Sequence, residues 1–277
     1  NTMNRKITFY DYMLMVSPNK TGKPSSYATA VCIIDEIFSK IDVFGLEGKS
    51  LRDVEDVDLL QRIREFIKAE EKKKRLGESS FFDLGKPNQT SYPSKGFCSA
   101  AILSLIDFVH YKNEIARVDE VVWNQQKAKK ISSLLIEFFD LTREGTDEIS
   151  EVKRRKGQDY FRRMVLANYS NQCCVTGLNV PEILHASHIV AWKDDKQNRM
   201  NPENGLCLSA TYDADFDKHL ISFDEKYRMI VSKYIKEFYT AQVTRVYFEA
   251  FEGKQIILPK QFLPSQTFLA KHREMMI

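Results

Sequence analysis

The sequence predicts an α+β protein in which a helical N-terminal domain, residues 1–150, precedes a mixed C-terminal domain, residues 151–277. Before residue 150, apolar residues recur at the spacing of amphipathic helices. After it, short segments rich in β-forming residues alternate with turn signals and one short helix, as in a small ββα unit. The boundary is placed in "TREGTDEIS", Thr142 to Ser150. This stretch lacks apolar periodicity and suits either a linker or a charged connection inside one domain.

The N-terminal part is predicted to contain four helices. Apolar stripes indicate the first two, and two more are expected over about 94–111 and 124–141. The stripes consist of Tyr27, Val31, Ile34, Phe38 and Ile41, and of Leu59, Leu60, Ile63, Phe66 and Ile67. The charged run "EEKKKR", Glu70 to Arg75, favours a solvated helix end over a binding site.

Composition limits the classes of protein that need to be considered. The chain has 277 residues, 43% of them hydrophobic, which is enough for one large core or two ordinary ones. No apolar run approaches the roughly 20 residues that cross a bilayer, so no membrane partner is expected. The five cysteines include no CxxC pair, which argues against a disulfide framework and a four-cysteine zinc site and predicts a cytoplasmic protein. The net charge of +3 does not by itself imply nucleic acid.

A local basic segment opens the second domain. "VKRRKGQDYFRRMVLANY" predicts an amphipathic helix in which Phe161, Val165 and Tyr169 share one face. Its cations can contact DNA phosphates, with a solvated helix flank as the alternative. A further arginine, Arg199, is a candidate for holding a phosphate or for a surface salt bridge. The candidate DNA-binding residues are Lys153, Arg154, Arg155, Lys156, Arg162, Arg163 and Arg199.

The ββα unit is predicted from the stretch that follows. "CCVTG" indicates a strand entering a turn, "EILHASHIVAW" a strand leading into a loop, and "NPENG" a turn before the second strand, "LCLS". Ser209 is a suitable N-cap for a helix that runs to about Phe216. This arrangement can gather His188, Asn204 and Asp213 around one point.

At these residues the chain resembles a known family. "CCVTGLNVPEILHASHIVAW" and "NRMNPENGLCLSATYDADFD" are similar to the HNH nuclease domain of bacterial restriction endonucleases, a ββα-metal fold, over roughly Tyr160 to Ser232. The resemblance implies that His188 is the general base and that Asn204 orients the site. It also implies that the last motif position falls nine residues after Asn204, which is Asp213 in this chain.

Two positions depart from the usual pattern. A histidine is expected where Asp213 stands, and an acidic residue or a histidine is expected where Ser187 stands. A carboxylate at the last motif position makes the ligand set harder, which predicts Mg²⁺ or Mn²⁺ as the divalent ion. His185 is a second candidate ligand, although residues three apart on a strand face opposite sides, and it also suits a structural role. Asp217 is a third candidate ligand. Alternatively, its carboxylate holds another metal ligand in place or caps the next strand.

The chemistry of these residues fits phosphodiester hydrolysis. A neutral imidazole can activate water, and a divalent ion can stabilise charge on the phosphate and on the departing 3′ oxygen. The sequence therefore predicts a metal-dependent DNA endonuclease acting in restriction or other defence against foreign DNA. The alternative is a DNA-binding or regulatory protein with a cleavage-deficient HNH fold. A homodimer is expected if the enzyme cuts both strands of a palindromic site.

Overall fold

The computed structural model describes residues 7–17, 23–86, 91–142 and 147–277. Contacts between residues divide these into two compact units that meet in sequence at Trp123 and Asn124. The predicted boundary segment lies partly outside the described residues, at 143–146, and its last three residues form the first turn of a helix. The domain boundary near residue 150 stays a prediction.

The first unit is helical, as the apolar stripes predict. The helix predicted over 94–111 is the first half of a longer helix, because buried apolar residues continue at helical spacing as far as Val122. The helices are α1 (Phe9–Val16), α2 (Lys23–Phe38), α3 (Val57–Leu76), α4 (Ser91–Ser94) and α5 (Phe97–Asn124), with 3₁₀ turns at Leu51–Asp53 and Phe81–Leu84.

The interpretation of Glu70 and Glu71 as part of a solvated helix end is wrong. Both side chains are buried. Glu71 accepts hydrogen bonds from the backbone N–H groups of Cys98 and Ser99 in the first turn of α5, and Glu70 accepts one from the N–H of Phe81. The two carboxylates therefore satisfy backbone donors that helix and turn starts leave without partners.

The second unit contains two antiparallel two-stranded sheets and six α-helices within the described residues. The helix expected over 124–141 is present over Ala128–Phe138. The elements are α6 (Ala128–Phe138), α7 (Glu148–Asn168), β1 (Leu184–His188), β2 (Gly205–Ser209), α8 (Ala210–Asp217), β3 (Ile221–Phe223), β4 (Met229–Val231), α9 (Lys233–Lys236), α10 (Gln242–Thr244) with a π-helical turn at Arg245–Glu249, and α11 (Gln266–Glu274). In the described part of either unit, no helix combines the length and apolar composition needed to span a membrane.

The strand predicted at "CCVTG" is wrong, because this segment forms a turn. The N–H of Gly177 donates to the carbonyl of Cys173 at 2.8 Å, and Gly177 has a φ of +76°. The N–H of Cys174 donates to the carbonyl of Cys207 in β2 at 2.7 Å. The segment thus joins the end of α7 to the hairpin without adding a strand.

The β1–β2 hairpin is the centre of the second unit, with α7 against one face and α8 against the other. In its register His185 pairs with Leu208 and His188 with Gly205. On α7 the predicted apolar face is confirmed, since Phe161, Val165 and Tyr169 are all buried. The close approach of α7 depends on Gly205, where an added Cβ would lie 2.4 Å from Cγ2 of Val165 and 3.0 Å from the ring of Phe161.

We expect the Gly205→Ala substitution to lower the free energy of unfolding by about 1–3 kcal/mol, because the added methyl group overpacks the contact between hairpin and helix. Urea denaturation of both proteins measures the difference. Gly157→Ala is the matched control, since its added Cβ would come no closer than 3.0 Å to the tip of the Leu141 side chain and 3.6 Å to the Trp192 ring, and alanine favours the helical backbone. Equal stability of Gly205→Ala and the parent chain would contradict the packing argument.

Candidate active site

His188 is the last residue of β1 and packs on the α7 side of the hairpin. Its ring stacks on Phe161 with 3.9 Å between ring centres and meets Trp192 edge-on at 5.6 Å. Nε2 lies 2.9 Å from the carbonyl oxygen of Arg199. A carbonyl only accepts hydrogen bonds, so Nε2 carries the hydrogen and Nδ1 keeps its lone pair in the neutral ring. Burial lowers the pKa of His188 to about 4, which keeps the imidazole neutral at neutral pH.

The depressed pKa of His188 predicts a pH-dependent stability. The ordinary pKa of histidine is 6.5 and the pKa of His188 in the folded chain is about 4. Between pH 4 and pH 6.5, His188 is therefore protonated in the unfolded chain but neutral in the folded chain. Stability is therefore present above the unfolded pKa and is lost as the pH falls, by at most about 1.4 kcal/mol per pH unit from this residue. We expect His188→Gln to unfold with a shallower pH dependence than the parent chain in denaturant titrations across this window. Parallel pH profiles would show that His188 does not contribute.

Asn204 is fully buried and closes the loop that follows β1. Its Oδ1 accepts from the N–H of Val190 at 2.8 Å, and its Nδ2 donates to the carbonyls of Val190 at 3.0 Å and Asn198 at 3.2 Å. Its own carbonyl accepts from the N–H of Ile189 at 3.0 Å. The carboxamide thereby fixes the backbone just after His188, which is the kind of contact that an orienting residue makes.

The carboxylate of Asp213, in the first turn of α8, contacts two side chains of β1. Oδ2 lies 3.2 Å from Nδ1 of His185, and Oδ1 accepts a hydrogen bond from the hydroxyl of Ser187. The side chain of His185 is 50% exposed and that of Asp213 is 19% exposed. We refer to His185, Ser187 and Asp213 as the Asp213 cluster. It places one half-exposed imidazole and one carboxylate beside the hairpin, while Ser187 is buried.

Asp217 lies one helical turn after Asp213 and is exposed. Partial burial and the nearby Asp213 carboxylate raise the pKa of Asp217, while His219 and His185 oppose the increase. Asp217 is therefore within electrostatic reach of the Asp213 cluster. Its carboxylate makes no hydrogen bond to any described residue. No contact therefore supports the alternative that Asp217 caps the next strand.

The predicted convergence of His188 and Asp213 is not what the structure shows. Side chains alternate along β1, so His185 and Ser187 face α8 while His188 faces α7. The strand stays regular through His188, and the rings of His185 and His188 lie on opposite sides of the hairpin. His188 and Asn204 are close together, and His185 and Asp213 are close together.

The basic residues of α7 have several partners within the chain. Lys153 pairs with Asp140, Arg155 with Glu151 and Arg163 with Asp159 on the surface of the unit. Surface pairs of this kind contribute little energy and exchange readily with other anions. Arg154 is exposed and makes no ion pair within the described residues.

Arg162 and Arg199 differ from the expectation of solvent-facing cations. Arg162 donates to the carbonyls of Pro181 at 2.9 Å and Leu184 at 2.8 Å, which fixes the start of β1 on α7. Arg199 is buried, and its guanidinium lies 5.1 Å from the ring centre of Trp192. Arg162 contacts two backbone carbonyls and Arg199 contacts an aromatic ring. Both kinds of contact favour structural roles for these cations. Their contact with DNA stays a prediction.

The Asp213 cluster fits a divalent cation as far as donor chemistry is concerned. In the described ranges no set of three or more His, Cys, Asp or Glu side chains is arranged for metal binding. The pair of His185 and Asp213 offers one nitrogen and one hard oxygen donor, and Mg²⁺ commonly binds through one or two carboxylates while keeping several waters. The half-exposed position of His185 leaves room for those waters.

A comparison with protein families identifies the segment that contains these residues. Residues 173–224 match the HNH endonuclease family. The match spans the hairpin and α8, and so includes His188, Asn204 and Asp213. Proteins of this family are nucleases, which supports nuclease activity on DNA, and HNH nucleases typically use a divalent metal ion. The search of curated proteins found no match.

Two features of the HNH segment escape motif analysis. Ser187 holds the Asp213 carboxylate, although the motif marks its position only as a departure. The alternation of side chains along a strand was the available signal, because residues 185 and 187 must share one face. Phe161 supports His188 from α7, outside the matched residues, and only its helical periodicity marked it as buried.

Proposed function

We propose that this chain is a metal-dependent HNH endonuclease that hydrolyses DNA phosphodiester bonds in restriction or another defence against foreign DNA. The observation that carries the proposal is the position of the family match. It coincides with the ββα unit, in which a neutral, half-buried histidine ends β1 and a carboxylate–imidazole pair lies beside the same strand.

In this proposal His188 is the general base. The neutral ring keeps a lone pair on Nδ1, which accepts the proton of the attacking water, while the Arg199 carbonyl fixes the tautomer through Nε2. Asn204 holds the backbone after His188, so that the ring keeps its orientation.

Asp213 and His185 would hold the divalent ion, with Asp217 as the nearest further carboxylate. Bound Mg²⁺ or Mn²⁺ supplies charge stabilisation at the phosphate and at the departing 3′ oxygen. Ser187 keeps the carboxylate of Asp213 in place through its hydroxyl. Because His188 lies on the other face of β1, the proposal requires the scissile phosphate to reach groups on both faces of the strand.

A plasmid-nicking assay tests the proposal. The parent chain is expected to convert supercoiled plasmid to nicked or linear DNA with Mg²⁺ or Mn²⁺, and to lose the activity with EDTA. DNA binding without cleavage under every metal condition would instead support the alternative, a cleavage-deficient DNA-binding or regulatory protein. We further propose that the helical N-terminal domain helps to position or select the DNA and that a double-strand cutter of this kind acts as a homodimer.

The exposed basic surface of α7 is proposed to contact the DNA backbone. Neutralising Arg154 and Lys156 with glutamine is expected to weaken binding to unrelated DNA sequences alike and to reduce the slope of log K against log salt by about one to two. Fluorescence anisotropy at several salt concentrations measures both effects. The matched control neutralises Lys226 and Lys260, which are exposed elsewhere in the same unit. If the slope of log K against log salt equals that of the control, the basic residues of α7 form a solvated helix flank and do not contact DNA.

A further inference from the structure

The C-terminal helix α11 inserts one histidine into the core of the nuclease unit. His272 is 2% exposed and lies outside the residues that match the HNH family. Its ring is parallel to that of Phe216, with 3.7 Å between ring centres and an angle of 2°. Phe216 is the penultimate residue of α8, so this contact joins the two helices at the end of the site helix.

The ring nitrogens of His272 connect three elements. Nε2 lies 3.0 Å from the carbonyl oxygen of Phe216 and 3.1 Å from Nδ1 of His219, while Nδ1 lies 3.0 Å from the hydroxyl of Ser222 in β3. The carbonyl only accepts, so Nε2 donates to it and Nδ1 accepts from the serine. Burial lowers the pKa of His272 to about 4, in keeping with this neutral tautomer.

Helix α8 needs such support because it is short. It has eight residues, and an isolated helix of that length is unstable in water. At its start Tyr212 stacks on Tyr247 with 4.4 Å between ring centres and donates from its hydroxyl to the Tyr247 carbonyl at 2.6 Å. At its end Phe216 is held by His272. Asp213 lies between these two anchors.

The C-terminal segment before α11 is also fixed to the nuclease unit. The carboxamide of Asn168, in the last turn of α7, accepts from the N–H groups of Gln261 and Phe262 and donates to the carbonyl of Phe262. The N–H of Ser265 donates to the carbonyl of Glu203, next to Asn204. Because these hydrogen bonds attach residues 261–265 to the nuclease unit, the position of His272 relative to α8 is fixed.

We propose that His272 is a positioning residue for the nuclease site: through the carbonyl and ring of Phe216 it holds α8 so that Asp213 stays against His185 and Ser187. This inference rests on the proposed nuclease function. It assigns to the C-terminal helix a part in catalysis that the matched segment alone does not contain.

The test compares two replacements of similar length. His272→Gln keeps an N–H donor near the position of Nε2, whereas His272→Leu removes all three polar contacts of the ring. We expect His272→Leu to raise hydrogen-exchange rates across α8 and to lower kcat about 10- to 100-fold with little change in KM. His272→Gln is expected to recover most of both losses. Leu269→Ala, at a fully buried position on the same helix, is the control for stability and is expected to lower the melting temperature without changing α8 exchange below the melt.

The readouts separate the inference from the function on which it rests. Exchange in α8 that is unchanged in His272→Leu, or changed equally in Leu269→Ala, would overturn the positioning role. If the parent chain cleaves no DNA, the proposed function fails, while the exchange rates still decide whether His272 holds α8. If His272→Leu does not fold, Ser222→Ala is the substitute variant, because it removes one of the same hydrogen bonds. It is expected to raise the hydrogen-exchange rates of α8 by a smaller factor. Unchanged exchange rates in Ser222→Ala would overturn the proposal.

Discussion

Replacing His188 by glutamine is expected to reduce the rate of DNA cleavage by roughly 10²–10⁴-fold, the usual effect of removing a general base. Glutamine keeps an amide that can donate to the Arg199 carbonyl in place of Nε2, but it cannot take a proton from water. His188→Ala is expected to show a similar loss of activity together with lower stability, because it also removes the ring that stacks on Phe161. The comparison therefore separates chemistry from packing.

Single-turnover cleavage of a labelled duplex under saturating protein gives the rate, and anisotropy gives DNA affinity, which is expected to stay nearly unchanged. His110→Ala, at an exposed histidine of the N-terminal unit, serves as the control. Full activity of His188→Gln would refute the assignment of the base. In that case His185, whose Nδ1 is paired with the Asp213 carboxylate, is the next histidine to replace.

The second large effect is expected at Asp213. Asp213→Ala should abolish metal-dependent cleavage, with a loss of about 10²-fold or more, because a bound cation stabilises the transition state by several kcal/mol. Asp213→Asn is the matched variant, since it retains a partner for Ser187 and His185 but removes the negative charge. Asp213→His is expected to keep some activity and to shift the metal preference from Mg²⁺ or Mn²⁺ towards softer ions.

Calorimetric titration with Mn²⁺ measures the ligand role directly. Asp213→Ala is expected to bind Mn²⁺ far more weakly than the parent chain, and Asp213→Asn is expected to fall between them. Equal Mn²⁺ affinity and equal cleavage in the parent chain and Asp213→Ala would exclude Asp213 as a ligand. Asp217 would then be the carboxylate to test, because it is within electrostatic reach of the same cluster.

The sequence predicts the ββα unit well because its signals are local. The turn signature before β2, the N-cap position of Ser209 and the apolar face of α7 each depend on residues within one or two turns of chain. The bounds of β1 and α8 agree with the prediction to within a few residues for the same reason. The failed strand at "CCVTG" shows the limit, since β-forming residues there close a turn around Gly177.

The arrangement of the candidate site was less predictable because it depends on contacts that are distant in sequence. That His188 faces α7 follows from its stacking on Phe161, and that Asp213 contacts Ser187 follows from the packing of α8 on the hairpin. The same holds for Arg162, whose fork-shaped guanidinium finds two backbone carbonyls instead of solvent. Glu71 is similar, since its charge is buried against the start of a helix more than twenty residues away.

The attachment of the C-terminal segment to Asn168 has a consequence for protein engineering. A fragment cut at the borders of the family match, residues 173–224, would lack the ring on which His188 rests, the carboxamide that anchors 261–262 and the histidine that supports α8. Transferring the proposed nuclease site to another protein therefore requires a fragment that starts before α6 (Ala128–Phe138) and extends past Glu274.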